Sequence, residues 1–353
     1  NLRDQRAVPC LITALQSDTN ARVRESSVRA LSYFENNAVL PAIVAALEKD
    51  QDAEVRTGAA GSLGSLGSKD AIAPLAKALS CDSNESVRAA AAEALGEFDE
   101  ATATPLLLQT LGTDASADLR VKTISVLGCF EGTNASGTLL SILEKDPSIK
   151  VQCAAVKALA RPGGYELIPV FRRLLQSPGL PSDVRAEMAP SLLVIGGPEI
   201  RPILEDVLIR EPDQRVLTEF AEALTGHLDA GRERALPPGP HAITNATVNA
   251  STNHAGADPQ LVPVLLAMLK VKGGKPDYNS WGSSGSGESG LLSAVIDLLG
   301  RLDDKRAAPD LLAILKNDPD SSKRKAAARS LGLLGGPAAL QALVTALGKD
   351  EAE

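Results

Sequence analysis

Aromatic residues are scarce in this sequence, at 3% of 353 positions, with one tryptophan. Any core must therefore be built from Ala, Leu, Val and Ile, side chains that suit close helix stacking. The four cysteines, Cys10, Cys81, Cys129 and Cys153, form no Cys-x-x-Cys pair and have no histidine at metal spacing. Cys10, Cys129 and Cys153 fall in helical stretches among small residues, which predicts free, buried thiols and leans towards a reducing, cytoplasmic compartment. No stretch is long and apolar enough to span a bilayer, and no signal peptide is visible. No basic stripe offsets the net charge of −8, and Lys323-Arg324-Lys325 reads as a solvated helix start. Nucleic-acid binding needs local basic surface, so that role is disfavoured. Gly-x-Ser-x-Gly, a phosphate-binding loop and His-Glu-x-x-His are all missing, so the sequence nominates no catalytic residue and no cofactor.

What the sequence has instead is a repeat. Val23, Val55, Val87, Leu119 and Val151 recur at a step of 32 residues, and Asp18, Asp50, Asp82, Asp114 and Asp146 keep the same step. A fixed period of this size marks one supersecondary unit copied along the chain. Each unit reads as two helices. The first is typified by residues 40–47, with apolar side chains at helical spacing, and the second by residues 55–64, with a polar turn between them. A proline recurs early in the first helix, at Pro9, Pro41, Pro74, Pro105, Pro169, Pro202, Pro263 and Pro309, where its missing N–H costs nothing. Glycines near the end of the second helix (Gly67, Gly96, Gly128, Gly196-Gly197, Gly335-Gly336) permit left-handed caps or close packing. A unit of this kind cannot bury its apolar face alone and must stack on its neighbours.

The block Asp-x5-Val-Arg-x2-Ala-Ala-x-Ala-Leu-Gly, carried most fully by residues 82–96, resembles HEAT repeats of the short class found in phycobilin lyase subunits. The resemblance covers nearly the whole chain. It implies an all-α, right-handed solenoid of about nine and a half two-helix units, cut at both ends. Regular units occupy 1–229, an inserted loop 230–258, and further units 259–353, with a second insertion at 271–290. It also implies a ladder from Asp18 and Arg24, Asp50 and Arg56, Asp82 and Arg88, Asp114 and Arg120, and Asp318 and Arg324. Each Asp would bridge the Arg of its own unit and that of the adjacent one. The turn carboxylate can accept backbone N–H groups at the start of the second helix, and the guanidinium fork then pairs with it.

The ladder fails in one region. Gln152 replaces Arg, Gly179 stands where Asp belongs before Arg185, and Leu217 follows Glu211. Pro190 is expected to kink its helix. Both insertions lie in this stretch. The first, proline-marked, holds or adjoins His227, His241 and His254, whose spacing matches no metal pattern. Asn134, Asn245 and Asn249 head glycosylation-type sequons, which loops rich in Asn, Ser and Thr also produce by chance. The second insertion carries Tyr278 and Trp281 ahead of a Gly/Ser run. Trp281 reads either as a partner anchor or as a plug in its own scaffold.

The functional expectation is a non-catalytic scaffold that binds a protein, as a helix or extended peptide. The concave face would be lined by second helices and by Glu25, Arg29, Glu93, Lys122, Lys157, Arg161, Glu187 and Glu222. Two alternatives stand beside it. The lyase resemblance allows a prosthetic-group lyase subunit or cofactor-handling chaperone, although repeat similarity transfers no chemistry. The repeat also allows a structural subunit that packs on copies of itself.

Overall fold

The computed structural model describes residues 4–34, 38–114, 116–130, 135–177, 179–197, 199–235, 261–270 and 287–337, together with 339, 340 and 344. Among these residues the chain is all helical. Eighteen α-helices follow one another in nine pairs. The first helices of the pairs are α1 (Val8–Ser17), α3 (Val39–Lys49), α5 (Ile72–Cys81), α7 (Glu100–Thr113), α9 (Ser136–Lys145), α11 (Ile168–Leu175), α13 (Ile200–Arg210), α15 (Leu261–Lys270) and α17 (Ala308–Asn317). The second helices are α2 (Ala21–Leu31), α4 (Ala53–Leu66), α6 (Glu85–Leu95), α8 (Ala117–Gly128), α10 (Ile149–Leu159), α12 (Ser182–Ile195), α14 (Gln214–Ala235), α16 (Gly287–Arg301) and α18 (Ser321–Leu334). The chain divides into two compact units, Asn1–Leu159 with α1 to α10 and Ala160–Glu353 with α11 to α18.

Local chemistry starts and stops these helices. Asn20, Asp52, Asn84 and Ser116 cap α2, α4, α6 and α8, and Asp320 caps α18, each side chain accepting a first-turn N–H. The ladder acids Asp18, Asp50, Asp82, Asp114, Asp146 and Asp318 sit two residues earlier, as C-caps of the first helices. The second-helix cap is therefore a different residue from the ladder acid. The carboxylate of Asp50 instead accepts the N–H of the capping residue, Asp52, at 2.9 Å. Short 3₁₀ turns at Gln5–Ala7, Lys69–Ala71, Tyr165–Leu167 and Lys305–Ala307 lead into α1, α5, α11 and α17. At α7 that turn merges with the helix, because Asp99 caps it at the N–H of Thr102, 3.0 Å away. Pro105 consequently lies inside α7 rather than in its first turn. Pro190 likewise lies within α12, which runs on to Ile195. Helix α14 continues to Ala235, past the expected start of the first insertion.

The 32-residue positions form the seam of the first unit. Val55, Val87, Leu119 and Val151 are fully buried, with Leu63, Leu95, Leu127 and Leu159 beside them. The glycines divide by role. Gly67, Gly196 and Gly335 have positive φ and end their helices. Gly64 instead lets α4 approach α6, since a Cβ there would fall 2.9 Å from the Cα of Ala94. In the second unit Gly300 does the same for α16 and α18, where a Cβ would meet Ser330 at 2.5 Å. Ser330, fully buried, donates to the carbonyl of Ile296 at 2.8 Å.

The thiols depart from expectation. None of the four cysteines forms a disulfide, but Cys10, Cys81 and Cys129 are exposed and Cys153 is half-buried. Their helices turn Leu, Val and Ala to the seam, so the cysteines fall on the flanks. The burial argument for a reducing compartment therefore lapses.

Candidate functional site

The ladder is the most regular polar feature, and it pairs across units rather than within them. Arg24 donates from Nε and Nη2 to both carboxylate oxygens of Asp50 at 2.8 Å. Arg56 grips Asp82 at 2.8 and 2.9 Å in the same way, Arg88 holds Asp114, and Arg120 holds Asp146. Each arginine reaches 26 residues ahead. Its Nη1 turns back to the main-chain carbonyl of the acid in its own unit, as Arg24 does to Asp18 and Arg56 to Asp50, both at 3.0 Å. The expectation that one carboxylate bridges both arginines is thus corrected. The own-unit partner is the carbonyl, because the carboxylate already holds the forked guanidinium from the preceding unit and a backbone N–H.

The 26-residue rule recovers a rung that the sequence reading broke. Arg185 pairs with Glu211 through two bonds of 2.9 Å, so two apparently irregular units share a complete clamp. Gln152 keeps only the backward half, donating to the carbonyl of Asp146 at 3.0 Å, while its buried Oε1 has no hydrogen-bond partner. Arg324 donates to the carbonyl of Asp318 at 3.0 Å, and its forward position, Asp350, lies outside the described residues.

Two of these clamps lower the pKa of the carboxyls they hold. The Arg24 guanidinium, with the Asp52 N–H, holds the Asp50 carboxyl below its usual range against the opposing push of burial. Burial pushes Asp82 up, but Arg56 and the Asn84 N–H outweigh it and its carboxyl also ends low. Each clamp ties the start of one second helix to the turn of the next repeat.

The expected partner-binding residues fall into two groups. In the first unit most are already paired. Glu25 and Arg29 bridge along α2 at 2.6 Å, and Glu93 on α6 meets Lys122 on α8. Lys157 is exposed on α10. In the second unit, Arg161 bonds Glu166 at 2.5 Å. There the acids also gather. Glu187 on α12 and Glu222 on α14 both act on the carboxyl of Glu219 on α14, a residue absent from the sequence expectation. Burial first, then the Glu222 and Glu187 carboxylates, push the Glu219 carboxyl up against the pull of Arg215. Arg215 is engaged with Asp183. Glu219 stands three residues before Glu222 and so shares its helix face, a signal the sequence carried. Tyr278, Trp281, His241, His254 and the three sequons lie outside the described residues. Among the described residues, no three His, Cys, Asp or Glu side chains converge to hold a metal ion, and no helix is long and apolar enough to cross a membrane.

A model of HEAT repeats matches residues 1–63, 40–128, 137–225 and 286–353. The chain belongs to the HEAT-repeat family. No curated protein matches it. Among solved structures, Kap95p, in a complex with RanGDP, superposes with a TM-score of 0.58 at 15% identity, over 94% of this chain and 45% of that one. YibA of E. coli aligns over 90% of this chain and 97% of its own at 19% identity, with a TM-score of 0.48. The CpcE–CpcF phycocyanin lyase of Nostoc sp. PCC7120 aligns over 62% of this chain and 87% of that one at 24% identity, with a TM-score of 0.38. At these identities Kap95p shares the fold of stacked HEAT hairpins, an α-solenoid, and the two looser superpositions carry no weight.

Proposed function

We propose that this HEAT-repeat chain is a non-catalytic scaffold that binds a cationic protein segment along the second-helix face of α12 and α14. One observation supports the reading most directly. Burial and the Glu222 and Glu187 carboxylates push the Glu219 carboxyl up, and Arg215, which pulls the other way, is also engaged with Asp183. A lysine- or arginine-bearing helix or extended peptide would relieve that repulsion. The paired residues of the first unit, Glu25 with Arg29 and Glu93 with Lys122, have less to gain from a partner. Second helices pack closely on one another, as α4 does on α6 at Gly64 and Ala94. Tyr278 and Trp281 are the proposed anchors from the second insertion. Kap95p, of the same fold, is captured with a protein partner.

Screening an immobilised library of helical and extended peptides of graded charge against the full chain tests the reading. Binders should be rich in Lys and Arg and should weaken with added salt. The variant Glu187→Gln/Glu219→Gln/Glu222→Gln should lose roughly 10-fold in affinity for them. Binding with no charge preference, or a triple variant that binds equally well, overturns the proposal.

A further inference from the structure

The acids of α12 and α14 have a counterpart of opposite sign on α18. Within the second unit α14 packs on both α12 and α16, and α16 packs on α18. Counting five residues on from the clamp position of each helix (Leu217, Leu292 and Arg324) gives Glu222 on α14, Asp297 on α16 and Arg329 on α18. The repeat itself leaves this position open. Its equivalents Glu93 on α6 and Ser125 on α8 are exposed although a second helix packs on either side of each, and Glu222 is exposed in the same way. The positions also meet in space, since Arg329 Nη1 lies 3.7 Å from Asp297 Oδ2 across the two helices.

Along this row the charge changes sign. Glu187 and Glu222 act on Glu219 at the α12–α14 end. At α16 the charges balance, because Asp297 lies 3.9 Å from Arg301 Nη1 on its own helix and faces Arg329 on the next. Helix α18 then carries four basic residues and no acid. Of these, Arg324 holds its own turn through the carbonyls of Asp318 and Pro319. Arg329 stays 53% exposed beside Asp297. Lys325, one turn before it on the same helix face, is exposed and has no ion-pair partner among the described residues. In the first unit opposite charges on adjacent helices meet, as Glu93 meets Lys122. Here they are kept apart. Three helix-to-helix steps of about 9 Å put α18 roughly 27 Å from α12, beyond the ~8 Å screening length at physiological salt.

We propose that the cationic segment taken by α12 and α14 is one half of a bipolar ligand, an extended stretch of a partner protein with Lys or Arg at one end and Asp or Glu at the other. Its basic end lies over Glu187, Glu219 and Glu222, and its acidic end lies over Lys325 and Arg329. The proposal rests on the reading given under the proposed function and carries that site from two helices to four. At about 3.3 Å per residue, roughly eight extended residues cover the distance. The separation of the two charged ends, and not net charge alone, then selects the partner.

Fluorescence anisotropy of the full chain with labelled peptides of about ten residues tests this. One peptide has Lys at one end and Glu at the other, a second has the same composition in alternation, and a third is basic throughout. The bipolar peptide should bind at least ~5-fold more tightly than the alternating one. Lys325→Glu/Arg329→Glu should weaken the bipolar peptide by a similar factor and strengthen the basic one. Glu187→Gln/Glu219→Gln/Glu222→Gln should weaken both, and circular dichroism checks that each variant keeps its helix content. If the bipolar and alternating peptides bind alike, or the α18 variant leaves the bipolar affinity unchanged, the bipolar site is overturned. Binding of the basic peptide that still depends on the three glutamates would then leave the cationic reading standing. If neither the basic nor the bipolar peptide binds the wild type, both readings fall.

Discussion

At the residue scale, the arginine clamps carry the argument. Arg56 and Asp82 are largely buried, with side chains 13% and 10% exposed, so removing one partner leaves the other desolvated and unpaired. Asp82→Asn should cost about 2–3 kcal/mol in urea unfolding. Its pH signature has a definite sign. The carboxyls of Asp50 and Asp82 lie below their ordinary value of 3.8 in the fold. The stability they contribute is complete above 3.8 and is lost as pH falls through the lowered native values. Asp82→Asn should therefore flatten the acid limb of the stability curve. Glu219 has the opposite sign. Its native value is raised above 4.5, so its ionised form opposes folding at neutral pH. Glu219→Gln should raise the neutral-pH melting temperature, by under ~1 kcal/mol of stability because solvent screens the site. The gain should vanish as pH falls from the raised value to 4.5. A variant equally stabilised at all pH values would count against electrostatic crowding.

At the scale of helices and turns, a great deal was legible beforehand. The 32-residue step, the first-helix prolines and the glycine ends specify a helix pair per unit, because a local period is a local signal. What the sequence did not disclose depends on neighbours. The ladder spacing looked like a six-residue relation within a unit, from Asp50 to Arg56. The fork actually spans 26 residues to the next turn, and only stacking decides that. The same blindness hid Glu211 as the partner of Arg185 and left the cysteines assigned to the core. Glycine roles were likewise open between caps and close approach. The two can be separated by substitution. Gly64→Ala should cost about 1–3 kcal/mol, because the added methyl meets the α6 backbone. Gly61→Ala, exposed in the same helix with nothing within 4 Å, should stabilise by about 0.5–1 kcal/mol. Chemical denaturation of the pair checks both signs.

At the scale of the whole molecule, stacked hairpins give stability that is close to a sum of local and nearest-neighbour terms. A broken rung should therefore be felt nearby and not far away. In native-state hydrogen exchange, Asp82→Asn should lower protection in α4, α5 and α6 while leaving α17 and α18 unchanged. A uniform loss along the chain would indicate a single cooperative unit instead.

An arginine that grips two successive turns also acts as a ruler, because the chain length between those turns must stay constant for both grips to hold. Where a clamp is present, the interval is fixed at 26 residues, and the five clamps described all keep it. Leucine occupies the clamp position at Leu217 and Leu292, and the two long insertions fall between them. Giving up the ruler released the spacing, which makes that interval the natural place to graft a foreign loop without disturbing the rest of the array.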